Sequence, residues 1–232
     1  MNIQKIREQL KIKLAKSGWD RVLNEFIDSS DFEVLMKEIG ELNKENKITP
    51  STKQIFRTFY ECPYNELKVV ILGQDPYSEE GVADGLAFSC GNTKKPTSVL
   101  NVIFEEIKNT YYKDECWYAW EPDLTRWANQ GVLLLNASLT TEIDKINMHG
   151  PMWKPFTEYL FKKLVELNHN MIYIFVGAVA KEWAKKIPES NQKMYCYHPE
   201  SALYNDGIWE SNDVFLRTNE ILESINGTKI IW

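Results

Sequence analysis

Asp75, Asn136, Gly177 and His198 each close an apolar run, and between them they offer a carboxylate, an amide, a tight turn and an imidazole. A carboxylate can position water or steady a cation. An amide can read a donor and an acceptor on a flat ring, and an imidazole can donate to an oxygen that gathers charge. The runs are Val69-Val70-Ile71-Leu72-Gly73, Gly131-Val132-Leu133-Leu134-Leu135, Met171-Ile172-Tyr173-Ile174-Phe175-Val176 and Met194-Tyr195-Cys196-Tyr197. Such runs suit strands covered on both faces, and sheets of that kind place ligands outside the carboxyl ends of their strands. Taken singly, each residue has an ordinary explanation: an Asp before Pro caps a turn, an Asn satisfies loop backbone, and a lone His is a structural hydrogen-bonder. Their recurrence at the ends of strands in one sheet shifts the balance toward a shared site.

The elements that must hold these residues follow from the spacing between the runs. Phe156, Tyr159, Leu160, Leu164 and Leu167 after Pro151, and Phe215, Leu222 and Ile225 after Ser211, recur at helical intervals. Strands alternating with helices imply one α/β domain with a central, mostly parallel four-stranded sheet covered by helices on both faces. Residues 1–60 read as a helical, supportive N-terminal part and residues 61–232 as the core that carries the chemistry. Met1 to Leu10 reads as an amphipathic helix without the apolar centre of a signal peptide, so an intracellular location is expected. Ser30-Asp31-Phe32-Glu33 forms a capping box for a helix carrying Leu35, Met36 and Ile39 and closed by Gly40, and Pro50 opens another carrying Ile55, Phe56 and Phe59.

The 232 residues carry 27 Lys and Arg against 33 Asp and Glu, a net charge of −6. That balance counts against a protein that coats nucleic acid, because phosphate neutralisation by Lys and Arg dominates such binding. A local basic rim remains open, with Lys94-Lys95 and Lys181, Lys185 and Lys186 as candidates. For Lys185-Lys186 alone a solvated helix face is the better reading. Cys62, Cys90, Cys116 and Cys196 are far apart, and of His149, His169 and His198 only the last neighbours a cysteine. Neither a disulfide framework nor a metal site is expected. No apolar stretch approaches the roughly 20 residues that span a bilayer, so no membrane partner is expected.

Four ordered motifs carry a resemblance: Gly73-Gln74-Asp75-Pro76-Tyr77, Gly85-Leu86-Ala87-Phe88-Ser89, Leu133-Leu134-Leu135-Asn136 and His198-Pro199. Together they resemble the family-1 uracil-DNA glycosylases. The likeness runs from about Pro50 to Trp232, including Pro96-Thr97-Ser98 with Leu100 and Asn101, Phe215 with Asn219, and Ile231-Trp232. It implies an enzyme that flips deoxyuridine out of DNA and hydrolyses its N-glycosidic bond without a metal or other cofactor. Asp75 would orient water and stabilise the developing sugar cation, and His198 would donate to uracil O2. Asn136 would read the Watson–Crick edge, Phe88 would stack on the base, Tyr77 would exclude a methyl at C5, and the Gln74 backbone would complete the base contacts. Pro96, Ser98, Gly177, Ala178, Ser201 and either Ala202 or Leu203 would face the DNA. The implied partners are uracil-containing DNA, single- or double-stranded, and a DNA-mimic protein inhibitor. The implied enzyme is a monomer, cytoplasmic or, in a eukaryotic or viral host context, nuclear.

The departures from the family pattern gather on the DNA side. Ser78 stands where the family commonly has His, and Ala178 where it often has Ser. His198-Pro199-Glu200-Ser201-Ala202-Leu203 replaces the usual His-Pro-Ser-Pro-Leu. Without a gap Ala202 takes the place of the leucine that fills the DNA stack; with one inserted residue Leu203 does. Glu79, Glu80, Asp84 and Glu200 fall on or near the loops expected to face DNA, where they would oppose phosphates. A kept base pocket with a weakened backbone clamp is expected, with greater dependence on low salt or on a partner protein. The alternative function is a DNA-binding or replication-accessory module with weak catalysis. Intact Asp75, Asn136, Phe88 and His198 favour the enzyme, because such a module has little chemical need for all four. A flavodoxin-like or nucleotide-binding protein would need a phosphate loop, which Gly81-Val82-Ala83-Asp84-Gly85 does not supply.

Overall fold

The computed structural model describes residues 2–45, 47–113, 120–167 and 171–232. Cys116 and His169 lie outside the described residues. The four apolar runs form the central sheet as strands β2 (Val69–Gly73), β3 (Val132–Asn136), β5 (Ile172–Val176) and β6 (Gln192–Cys196), in the order β3-β2-β5-β6. Every pairing is parallel, with Gly73 opposite Asn136 and Val176 opposite Cys196. Parallel register brings all four strand ends to the same edge.

The pleat sorts the side chains into two buried layers. Val70, Leu72, Leu133, Leu135, Tyr173 and Phe175 face one way, against helices α1 (Ile3–Ser17), α2 (Asp20–Asp28), α3 (Ser30–Lys44), α4 (Arg57–Glu61) and α7 (Gly150–Leu167). Val69, Ile71, Val132, Leu134, Ile172, Ile174 and Met194 face the other way, against α5 (Ser98–Ile107), α6 (Thr125–Ala128) and α9 (Val214–Asn226). The fully buried aromatic rings of Trp19, Trp153 and Phe156 fill the first layer, and those of Trp127 and Trp232 the second. Each ring withdraws a large apolar area from water, the main drive for the fold. Helix α8 (Gly177–Trp183) starts directly at the end of β5 and buries Ala180 in the first layer.

Local expectations needed several corrections. Helix α3 is capped by Ser29, whose Oγ accepts from the Phe32 N–H, and not by Ser30. It also runs through Gly40 to Lys44, because burying Ile39 and packing Leu42 outweighs the roughly 1 kcal/mol that a mid-helix glycine costs. Pro50 does not open a helix: its bond to Thr49 is cis, a turn follows, and α4 begins only at Arg57. The strand expected over 194–197 starts two residues earlier and leaves out Tyr197, which is 60% exposed. A short antiparallel pair of β1 (Ile48–Thr49) and β4 (Thr141–Glu142) is an addition to the expected sheet.

Candidate active site

Gly73 sets the floor of the site. A Cβ there would lie 2.5 Å from Asn136 Oδ1 and 3.2 Å from Phe88 Cζ, so only glycine lets the amide and the ring close over the strand end. Beyond it the chain stays pinned to β3, with the Ala137 N–H on Gly73 O and the Ser138 N–H on Gln74 O, both at 3.0 Å. Asp75 is thereby held at the carboxyl edge, half-buried, with Oδ2 accepting the Asn147 N–H. Burial pushes its carboxyl above the ordinary value, and hydrogen bonds from the Asn147 N–H and the Gln74 and Thr141 side chains, with the nearby His198, pull against it.

His198 arrives from the end of β6. Its Nδ1 accepts the Glu200 N–H at 3.3 Å, so the neutral ring carries its proton on Nε2. Burial pushes the imidazole below its ordinary value, against the pull of the Glu200 and Asp75 charges, and Glu200 Oε2 sits 3.9 Å from Nδ1. Gly177, with φ of +83°, packs so close that a Cβ would lie 3.3 Å from His198 Cβ. A neutral donor beside a partly desolvated carboxylate is the resulting pair.

Phe88 and Tyr77 form the wall. The Phe88 ring centre lies 6.1 Å from that of His198, and its backbone adopts φ of 65°, a costly conformation for a bulky residue. Several bonds hold it. Tyr77 Oη donates to Phe88 O at 3.0 Å and accepts from Thr97 Oγ1 at 2.9 Å, while the Ala87 N–H bonds Leu134 O at 3.0 Å. Burial pushes the Tyr77 phenol well above its usual range, so it remains a neutral donor. Asn136, 8% exposed, lies beneath this wall, and its side-chain amide makes no hydrogen bond to another described residue. A nearly buried amide without a partner is costly unless a ligand supplies one.

Asp84 is a correction. It does not face DNA but is fully buried, accepting from the Leu86 N–H at 3.1 Å, Ser89 Oγ at 2.6 Å and the Gly91 N–H at 2.7 Å, with Arg57 Nη1 at 3.0 Å. The short spacing to those donors lets one carboxylate fold residues 84–91 around itself, which presents Phe88. Gly85 belongs to the same packing: a Cβ there would lie 2.0 Å from Gln54 O.

Above the pocket opens a cleft of about 560 Å³. Gln74, Asp75, Tyr77, Phe88 and His198 line it, together with Ser98, Gly177, Ala178, Ser201 and Leu203. Pro96 lies outside that lining, and Ala202 has no exposed surface at all, so it cannot reach a ligand. Leu203, 48% exposed, is the side chain free to do so. Glu79 and Glu200 line the cleft as expected, and Glu80 is exposed beside it. Lys185 and Lys186 pair with Glu182 and Glu158, while Lys181 lies 5.3 Å over the Tyr195 ring. They form a solvated helix face and no basic rim.

Sequence reasoning missed Asn147, Thr141 and Ile146. Asn147 acts through its backbone N–H, which no residue type announces. Its loop is shaped by Asp144 and Asn147 at positive φ and anchored where Trp153 Nε1 donates to Thr140 Oγ1 at 2.7 Å, with Thr140 Oγ1 3.0 Å from His149 Nδ1. The one readable signal is Asp and Asn, the residues that tolerate such turns.

A parallel sheet whose carboxyl edge carries Asp75, Asn136 and His198, with an open cleft above it, is the architecture of an α/β DNA-base glycosylase. The family model of the uracil DNA glycosylase superfamily matches residues 59–223. Curated relatives include a uracil-DNA glycosylase of Christiangramia forsetii, 34% identical over 226 residues that cover 96% of this chain and 100% of the relative. Another, uracil-DNA glycosylase 1 of Listeria innocua, is 33% identical over 92% of this chain and 96% of its own. Among solved structures, mimivirus uracil-DNA glycosylase superposes with a TM-score of 0.77 at 22% identity, over 92% of this chain and 85% of that one. A variant of the mimivirus protein in complex with UGI gives 0.81 at 23% identity, covering 92% and 87%. The chain belongs to the uracil DNA glycosylase superfamily.

Proposed function

We propose that this chain is a DNA-repair hydrolase that takes a flipped deoxyuridine into the pocket, breaks its N-glycosidic bond, and leaves free uracil and an abasic site. The observation that carries the reading is the unpaired Asn136 amide beneath the Phe88 ring, with Asp75 and His198 on the cleft above. The amide oxygen would accept from uracil N3–H and its NH₂ would donate to O4, a pattern that cytosine mismatches at both points. As the C1′–N1 bond breaks, its electron pair leaves with the base and charge collects on O2, where the His198 Nε2–H donates without losing its proton. The sugar becomes cationic, and the Asp75 carboxylate stabilises it, orients the water whose oxygen bonds C1′ and takes the proton that this water loses, which then neutralises the departed uracil anion. Tyr77, locked by Phe88 O and Thr97, would fill the space of a thymine methyl. Leu203 would fill the gap in the stack.

The partner is uracil-containing DNA, bound by a monomer in the cytoplasm, or in the nucleus of a host cell. A protein inhibitor that mimics DNA would meet the carboxylates of Glu79 and Glu200 on the cleft as well as that of Asp75.

The test is cleavage of single- and double-stranded oligonucleotides carrying one deoxyuridine, with released uracil and alkali-labile ends as readouts. Asp75→Asn and Asn136→Ala are each expected to lose at least about 10²-fold in rate, the scale of a lost charge-stabilising group. Well-folded wild-type protein releasing no uracil from either form would overturn the reading and leave a DNA-binding accessory module in its place.

A further inference from the structure

Thr97 stands between Pro96 and Ser98, both expected to face DNA, yet its hydroxyl is turned into the protein. As the N-cap of α5 its Oγ1 accepts the Leu100 N–H at 3.1 Å, and it donates its only proton to Tyr77 Oη at 2.9 Å. The phenol points its own proton at Phe88 O, 3.0 Å away. The directions follow from counting protons. A carbonyl oxygen only accepts, so the phenol must donate to Phe88 O, which leaves Oη an acceptor and the threonine its donor. A relay of three hydrogen bonds thus runs from the first turn of α5 to the residue held at φ of 65°. With its one proton given to Tyr77, Thr97 has none left for a phosphate.

The two ends of this relay differ in firmness. Helix α5 is anchored by Leu100, Ile103, Phe104 and Ile107, all buried in the second layer. Tyr77 is only half-buried and lines the open cleft. An aromatic ring on a loop swings about χ1 and χ2, and its tip travels farthest, so a bond at Oη is the most effective restraint on the whole ring. A packed pocket turns away an extra methyl group only when its wall does not give. Thr97 ties this wall to a rigid element.

We propose that Thr97 is a positioning residue that sets how strictly the pocket excludes substituents at C5 of the base: by fixing the Tyr77 hydroxyl, it holds the ring where such a group would have to enter. The proposal rests on the uracil-excision reading above, in which Tyr77 faces C5. Thr97 itself neither touches the base nor moves a proton. Without its hydroxyl the ring keeps the bond to Phe88 O but pivots about it, and room opens at C5 while Asn136 and Asp75 stay in place.

The test measures kcat/KM for base release from one single-stranded sequence carrying deoxyuridine, 5-fluorodeoxyuridine or 5-bromodeoxyuridine. Fluorine is little larger than hydrogen, and bromine is close to a methyl group. Both halogens ease departure of the base, but equally in every variant, so a change in preference between variants reads space alone. Thr97→Val is expected to lower the preference for uracil over 5-bromouracil by about tenfold, the lower end of what one methyl-sized group is worth in a pocket, and that over 5-fluorouracil by less than about twofold. Thr97→Ser, which keeps both the hydroxyl and the cap, should hold the wild-type preference within about twofold. Tyr77→Phe removes the same bond from its other end without touching the cap of α5. It should relax the preference at least as far, and adding Thr97→Val to it should relax it no further. A Thr97→Val loss shared equally by all three substrates, or no change in any of them, overturns the role. Wild-type protein that releases no uracil from the first substrate defeats the glycosylase reading itself, a separate outcome.

Discussion

Gly73 decides whether the Asn136 amide and the Phe88 ring can close over the strand end. Its missing side chain leaves room for the Asn136 amide and the Phe88 ring, and an alanine Cβ would press to 2.5 Å from Asn136 Oδ1. Gly73→Ala should push the amide off its reading position by about 1 Å and lower kcat/KM for uracil release by about 10²-fold, the usual cost of such misplacement. Steady-state kinetics beside a thermal melt check this, since the folded fraction should stay near that of the wild type. At this scale the gathering of the candidate side chains was legible: Asp75, Phe88 and His198 all line the one cleft. The choice between Ala202 and Leu203 was not, because it turns on burial, which the motif leaves open by one residue. Asn147 was invisible for a different reason, since its part is played by an N–H that every non-proline residue has.

The elements depend on a charged knot that positions them. Arg57, the first residue of α4, reaches Asp84 at 3.0 Å, Asp123 at 2.9 Å and Thr125 Oγ1 at 2.6 Å, tying the loop that presents Phe88 to the turn before α6. Its side chain is 16% exposed and that of Asp84 fully buried, so Arg57→Met would leave a buried carboxylate without its cation. Removing one partner of a buried pair costs about 3 kcal/mol or more. A denaturant titration should show that loss as a lower midpoint with an unchanged slope, and an unshifted midpoint would refute it. The strands were readable because buried parallel strands are continuous apolar runs. The knot was not, because Asp84 in a glycine-rich loop reads as a surface acid until its donors are in place. The β1 and β4 pair, two residues each, is too short to leave a periodic signal, and helix α3 overrides its glycine through packing that only the folded chain provides.

For the whole molecule, charge sets how DNA is held. The chain carries −6 overall, and its cleft is lined by carboxylates without a lysine or arginine. Lys94 and Lys95 are exposed, while Lys185 and Lys186 are engaged with glutamates. The sequence alone disclosed the acidic balance and the acidic insertions, but not that the cleft lacks cations, since which side chains line it is a property of the packed chain. Each phosphate contact on a single strand contributes about −0.7 to the slope of log affinity against log salt. With on the order of two such contacts, raising salt from about 50 to 200 mM should lower kcat/KM on single-stranded substrate by no more than about tenfold. A protein clamping six or more phosphates loses about 10³-fold or more on duplex over that range. A salt series at low substrate concentration separates the two cases. A steep fall would mean that cations beyond the cleft, with Lys94 and Lys95 the first to substitute, gather the DNA. A shallow one is what a cleft without cations of its own requires, because uncharged contacts release no counterions when they form.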